Sequence, residues 1–474
     1  MRVYTTRDTN ADTNAAEQQP LFDGIAPQDF TPRVGNEGGP RPPLDKYAKS
    51  VGKSGADSAV FTPSEQPQQH ATEPEKNNTE ISWDSPTNRR TLDQRAKRWN
   101  MVHHLWEFSA IKRVRHCKKY FAMFRTTDGD TAKVKEVQVR QSEDKKAVGY
   151  AGLQTCGSVW ACPACSAKIQ AQRRLEIGLL MAIAASKGFT VVFTTYTLRH
   201  KKGQALSLLW EGLTYAHQRV KQDKTVGKLR KAHNEVGAVR AVEVTYGDNG
   251  WHPHIHSLRF FENEVTQTDV DELRRNEFRA WKAAAKKKGL GLPSASAFKM
   301  DLVDLGDEHT AGQVGRYMVK DLDEEAKETE QGQKIIDSGK KVSGITFEMQ
   351  GGATKAARRT KSYTPMELFQ EFLDTGNVEF LEKFNEYELA SKGKRALTWS
   401  PGLKQRFHVR EKTDEAIANE TVGTEEDRVF GITEAGWQRV VETHAAAMLL
   451  NTLQQQGVTE AKRLCKQMGI EFNH

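Results

Sequence analysis

The sequence predicts an α+β protein built on a mainly antiparallel sheet, and three observations lead there. Between residues 189 and 325 the pattern runs strand, helix, strand, strand, helix, strand, helix, close to a split βαβ arrangement. Gly247-Asp-Asn-Gly250 is a tight-turn signal between two of those strands, so they read as a hairpin. Upstream, Cys156, Cys162 and Cys165 crowd together at a spacing that favours a bound metal over a disulfide.

Taken in order, residues 1–80 are rich in Pro, Gly, Gln, Asn and Thr with few large apolar residues, and they read as a disordered tail. Gly52-Lys53-Ser54 within it resembles a phosphate-binding loop, but Tyr47 stands where that motif needs glycine and no strand precedes it. Residues 81–188 form the next unit. Its first part looks helical and basic, with Arg89, Arg90, Arg95, Lys97 and Arg98 in one run. Residues 126–150 suit a loop or short strands, the cysteine element follows, and a helix is expected at about 166–186. The core unit is 189–325. Phe189–Leu198 is rich in β-branched residues and reads as a strand. Leu206, Leu209, Leu213 and Ala216 fall at helical spacing within 203–222. Val236–Tyr246 and Trp251–Phe261 are the hairpin strands, Thr268–Lys288 a helix, Phe298–Leu305 a strand and Thr310–Glu325 a helix. A polar loop over 326–362 leads into a largely helical region at 363–474, broken at Trp399-Ser-Pro-Gly402.

Bulk properties narrow the function. Charged residues make up 28% of the 474, and the mean hydropathy is −0.69. The longest apolar run, Ile177–Ala185, is far short of a membrane span. No secretory signal opens the chain, so a cytoplasmic protein without disulfides is expected. The net charge of +8 is uneven: residues 1–80 hold 8 Lys+Arg against 12 Asp+Glu, which leaves +12 on residues 81–474. A basic body points to a polyanionic partner, of which nucleic acid is the usual one.

Two stretches carry the chemistry. In Trp251-His-Pro-His-Ile-His-Ser-Leu258, residues two apart share a strand face, so His254 and His256 point the same way. His252 has the same parity, but Pro253 is expected to perturb the strand there. Across the turn, Glu243 lies between Val242 and Val244, and joining the histidines as an oxygen ligand would explain a glutamate in that setting. Two histidines and a carboxylate suit Mg²⁺ or Mn²⁺ when phosphate oxygens complete the shell. In the second stretch, Tyr317 and Lys320 are neighbours on one helical face, with Gln313 a turn earlier. A lysine beside a phenol favours phenolate or holds a phosphate. The three clustered cysteines need a fourth ligand for a closed Zn²⁺ site, with Cys117 the first candidate and His116 the second, while Cys465 reads as a buried or free thiol. Arg199-His-Lys-Lys202, Lys221–Lys231 and Lys355–Lys361 could each track a phosphate backbone.

With these residues in view, the chain resembles the Rep initiators of rolling-circle plasmid replication, in the endonuclease superfamily named for its His–hydrophobic–His (HUH) strand. Cys156-Gly-Ser-Val-Trp-Ala-Cys-Pro-Ala-Cys165 resembles that family's cysteine element, and Phe193-Thr-Thr-Tyr-Thr-Leu-Arg199 its first strand motif. Gly250-Trp-His-Pro-His-Ile-His-Ser-Leu258 resembles its metal strand, and Tyr317-Met-Val-Lys320 its nucleophile motif. The resemblance implies a nicking and joining enzyme. On that resemblance a divalent metal would sit on His254, His256 and Glu243, Tyr317 would attack origin DNA to leave a 5′-phosphotyrosine, and Lys320 would assist. It implies single-stranded or extruded origin DNA as substrate, and a host helicase and DNA polymerase as partners. Several relatives carry a water-activating glutamate one helical turn before the tyrosine, where this chain has Gln313. Two other readings fit parts of the pattern: a zinc-containing DNA-binding regulator without catalysis, and a histidine-triad nucleotide hydrolase built on His252, His254 and His256.

Overall fold

The hairpin around Gly247–Gly250 is the longest β feature of the structure. A computed structural model describes residues 86–303 and 362–474, apart from 144, 146 and 411. The tail expected over 1–80, all but the last residue of the polar loop expected over 326–362, and the helix expected over 310–325, with Gln313, Tyr317 and Lys320, lie outside these residues.

The hairpin strands are β6 (Glu235–Gly247) and β7 (Gly250–Phe261), paired from Gly247↔Gly250 to Glu235↔Phe261. The turn requires glycine. Gly250 has φ +82, and a Cβ there would meet Lys201 O and Lys202 Cα at 3.1 Å. β7 pairs on its other side with β5 (Thr190–Thr197), and β5 pairs with β8 (Lys299–Leu302). All these pairings are antiparallel, giving the order β6-β7-β5-β8. Helix α4 (Leu206–Gln222) follows β5, and α6 (Gln267–Lys287) follows β7. The basic stretch 221–231 ends α4 and then, after Asp223, forms a further helix, α5 (Lys224–Ala232), capped by Asp223. The fold is thus mixed helix and antiparallel sheet.

The C-terminal region is helical in large part but also supplies strands. β9 (Ser362–Tyr363) and β10 (Leu397–Trp399) both add to β6. β11 (Arg428–Ile432) and β12 (Phe472–Asn473) join β3 (Val137–Gln141) and β4 (Val148–Ala151) in a second sheet of order β12-β11-β3-β4. Earlier, α1 (Pro86–Phe108) gives way to the short α2 (Lys112–Arg115), and β1 (Met123–Arg125) pairs with β2 (Thr131–Lys133).

Each face of the large sheet has its own core. Ile255, Tyr196, Val242 and Val244 point into one with α4 and α6. Leu258, Phe260, Val191 and Val239 point into the other, against α3 (Pro163–Ser186). The apolar run in α3 is explained by burial: every residue from Ile177 to Ala184 is buried. No helix among the described residues is long and apolar enough to cross a membrane.

Under α6 the first core contains charge. Arg259, fully buried, donates to Glu277 at 2.7 Å and to Glu235 at 2.8 Å, and the Tyr196 hydroxyl donates to Glu277 at 2.6 Å. Burial would lower the Arg259 pKa, but the two carboxylates outweigh it and hold the guanidinium charged. Such a network adds little net stability over an apolar core but punishes removal of any one member.

Candidate metal centres

The β6–β7 register sets Glu243 opposite His254 and Ala241 opposite His256. Because side chains alternate across a strand, Ile255 enters the core while both histidines share the other face with Glu243. His254 Nε2 lies 3.2 Å from Glu243 Oε2, and His256 Nε2 lies 3.6 Å from the same oxygen. The ligand atoms of the three all fall within 4.8 Å of one another, and all three residues are buried. Burial would raise the Glu243 carboxyl, but the hydrogen bonds from His254 and His256 outweigh it and hold the group below the usual carboxylate range. Its second oxygen, Oε1, is buried without a hydrogen-bond partner among the described residues. An ionised carboxylate with one oxygen unspent beside two imidazoles is a donor set that fits a divalent cation.

Neighbouring groups orient both rings. The Thr195 hydroxyl lies 3.1 Å from His256 Nδ1, and Phe193 stacks on the same ring at 5.2 Å. The carbonyl of His252 lies 3.3 Å from His254 Nδ1. In each case the Nδ1 contact leaves Nε2 on the side of Glu243. Metal-binding histidines usually have their second nitrogen held in this way. The metal-strand reading did not single out Thr195, although its parity on β5, opposite His256, was a usable signal.

The expected disturbance at Pro253 does not occur: the β6 ladder runs through Val244↔Pro253 and Thr245↔His252 without a register shift there. The β5 ladder ends at Thr197↔His254, one residue short of Pro253, so the missing N–H interrupts no pair on that side. His252 nonetheless stands outside the converging group. It lies one repeat farther along the strand, opposite Thr245, with its ring stacked 4.9 Å from His254 and 4.8 Å from His200.

A second cluster forms where α2, β4 and α3 meet. Cys117, Cys156, Cys162 and Cys165 are all buried and unoxidised, and their sulfurs lie within 4.8 Å of one another. Sγ–Sγ separations of 3.6 Å for Cys117–Cys165, Cys156–Cys165 and Cys162–Cys117 are close to the edge of a tetrahedron around one ion, about 3.8 Å for Zn–S bonds of 2.3 Å. Of the two candidates for fourth ligand, Cys117 is the one in the cluster. Cys465 lies apart, buried in the core of the second sheet.

Comparison with known proteins gives the family. A family model described as "Replication protein" matches residues 150–444, a span that includes both hairpin strands and three of the four clustered cysteines. The chain belongs to this replication-protein family. Among its relatives, "Protein rep" of Streptomyces lividans is 26% identical over 338 residues, covering 61% of this replication protein and 73% of the relative. "Neomycin resistance protein" of Streptomyces cyanogenus is 32% identical over 132 residues, 23% of this chain and 30% of that one. No solved structure gives a significant match.

Proposed function

We propose that this replication protein is a site-specific DNA nicking and joining endonuclease that initiates rolling-circle replication of a plasmid. The observation that carries the reading is the convergence of Glu243, His254 and His256 on the central hairpin of a replication-family chain. The strand order supports it: β5 and β6 run in the same direction with β7 between them, an order compatible with a split βαβ core. Convergence of two histidines with a carboxylate, rather than of three histidines, favours a metal site over a histidine-triad hydrolase.

In this reading Glu243, His254 and His256 hold Mg²⁺ or Mn²⁺, whose chemistry is Lewis-acid polarisation of the scissile phosphate. Glu243 supplies the negative charge, and Thr195 and the His252 carbonyl keep both imidazoles in the metal-accepting orientation. The Tyr317 oxygen attacks phosphorus, the bond to the 3′-oxygen breaks, and the phenolic proton is released as that oxygen becomes a free 3′-OH. The 5′-phosphate stays on Tyr317, and attack by a 3′-OH on the phosphotyrosine reverses the step and joins strands. Lys320 compensates the phenolate or phosphate charge. The four cysteines hold Zn²⁺ as a structural ion, because a site closed by four protein ligands has no open position for substrate. The substrate is origin DNA in single-stranded or extruded form, with a host helicase and DNA polymerase extending the primer.

The test is to incubate the protein with a labelled origin oligonucleotide and Mn²⁺ and resolve it in SDS. Wild type is expected to form a covalent adduct that EDTA prevents, and Tyr317→Phe to form none while still binding the oligonucleotide. Undiminished nicking by Tyr317→Phe overturns the assignment. Absence of an adduct in wild type under every divalent metal leaves the non-catalytic regulator as the better reading.

A further inference from the structure

A large cavity lies at the edge of the sheet that carries the histidines, and its lining reaches the cysteine cluster at Cys156. It is a groove of ≈ 1110 Å³ between the cysteine element and strand β10. One wall is Cys156–Trp160, the stretch whose Gly-Ser-Val-Trp sequence the zinc role leaves unexplained. The other is the loop Lys392-Gly-Lys-Arg395 with β10 behind it.

The charge of this groove is one-sided. Seven basic residues line it against two acidic ones. Four of the seven are paired: Arg173 with Glu176 and Asp414, Lys404 with Glu176, Arg113 with Glu415 and Lys412 with Glu420. Lys392, Lys394 and Arg395 are exposed and have no acidic partner among the described residues, Lys394 lying 5.6 Å over the Trp210 ring. The cysteine element fastens their loop, since the Trp160 indole N–H donates to the Lys394 carbonyl at 2.7 Å. Opposite, Gly157 has φ +61, and a Cβ there would come within 3.2 Å of Glu415 Cγ, so a side chain would crowd this wall. Trp399 on β10 adds a half-buried ring that packs on the core below and carries the Lys404 ammonium 5.0 Å from its centroid.

The groove also leads somewhere. Leu397 of β10 pairs with Ala241, and Ala241 pairs with His256, so the three lie in one row across the sheet. At about 4.8 Å per strand, the edge of the groove is about 10 Å from the metal-binding histidine.

We infer that this groove is a channel for single-stranded DNA, in which the Lys392–Arg395 loop and the Cys156–Trp160 segment grip the strand that runs to the Glu243–His254–His256 centre. The strand's destination rests on the nuclease reading above; the binding itself does not. Pockets of about 300–1,000 Å³ take drug-sized ligands, so the groove accepts about two or three nucleotides in single file and excludes a duplex. The arrangement also gives the cysteine site a purpose beside the nuclease: it holds one wall of the channel in place.

The experiment measures fluorescence anisotropy of a labelled single-stranded oligonucleotide in EDTA over a salt series, comparing the full chain with the triple variant Lys392→Ala, Lys394→Ala, Arg395→Ala. Losing three phosphate contacts is expected to reduce the slope of log K against log salt by about 2 and to weaken binding at least tenfold, while Mn²⁺ affinity stays at the wild-type value. A 5-iododeoxyuridine oligonucleotide is expected to cross-link within 156–160 or 392–405. An unchanged slope, or cross-links confined to other segments, overturns the channel. Equal weakening for a duplex of the same sequence overturns its selectivity for single strands. If the triple variant loses single-strand binding but wild type forms no covalent adduct, the channel stands and the nuclease reading falls.

Discussion

Replacing Thr195 by valine tests whether β5 tunes the metal centre. Valine matches threonine in shape but removes the hydroxyl, which lies 3.1 Å from His256 Nδ1. His256 is only 7% exposed, so solvent is poorly placed to replace that partner. Depriving a buried polar atom of its partner costs about 1–3 kcal/mol. Borne by the metal-ready orientation of the ring, that is about 5- to 150-fold in affinity. The independent expectation for a lost partner to a metal-binding histidine is about 10–100-fold, so the two routes agree. Mn²⁺ titration followed by electron paramagnetic resonance reads the affinity without requiring turnover. Thr195→Val should bind Mn²⁺ one to two orders of magnitude more weakly, and Thr195→Ser, which restores the hydroxyl, should recover most of the loss. Wild-type affinity in Thr195→Val, or no recovery in Thr195→Ser, would refute the role given to this hydroxyl.

Two further outcomes are expected. Purified protein should carry one zinc per chain by plasma mass spectrometry, and Cys162→Ser should lose most of it and melt at lower temperature; a zinc-free wild type with five freely titratable thiols contradicts the site. Glu388 gives a pH signature: burial pushes its carboxyl up from 4.5 to about 7, against hydrogen bonds from Ser109 and the Ala110 N–H. Its folded pKa lies above the unfolded one, so its contribution is complete below about pH 4.5 and lost as pH rises through about 7, roughly 3 kcal/mol in all. The Tm difference between wild type and Glu388→Gln should therefore shrink from pH 5 to pH 8, and an equal difference at both refutes the shift.

Local pattern accounts for much of what the sequence alone established. The strand–helix order of the core, the glycine turn and the shared face of His254 and His256 follow from periods of 2 and 3.6 residues and from turn chemistry, which act within a few residues. Hairpin geometry extended that reach just far enough to bring in Glu243, because a tight turn determines which residue faces which. The cysteine spacing picked out three sulfurs that do converge and ranked Cys117 first as the fourth, although Cys117 is 39 residues from Cys156.

Beyond that range tertiary structure decided. That the ladder tolerates Pro253 depends on where the neighbouring strand β5 ends. Thr195 meets His256 from 61 positions away because β5 and β7 pair in one register, and a one-residue slip would turn its hydroxyl to the other face. The helical-looking C-terminal region also supplies edge strands, since exposed backbone on β6 and β11 offers pairing that local propensity does not predict. The groove joins residues 156–160 to 392–405, and no period or motif links such distant segments. Only packing shows which of the cations lining the groove have an acidic partner and which do not.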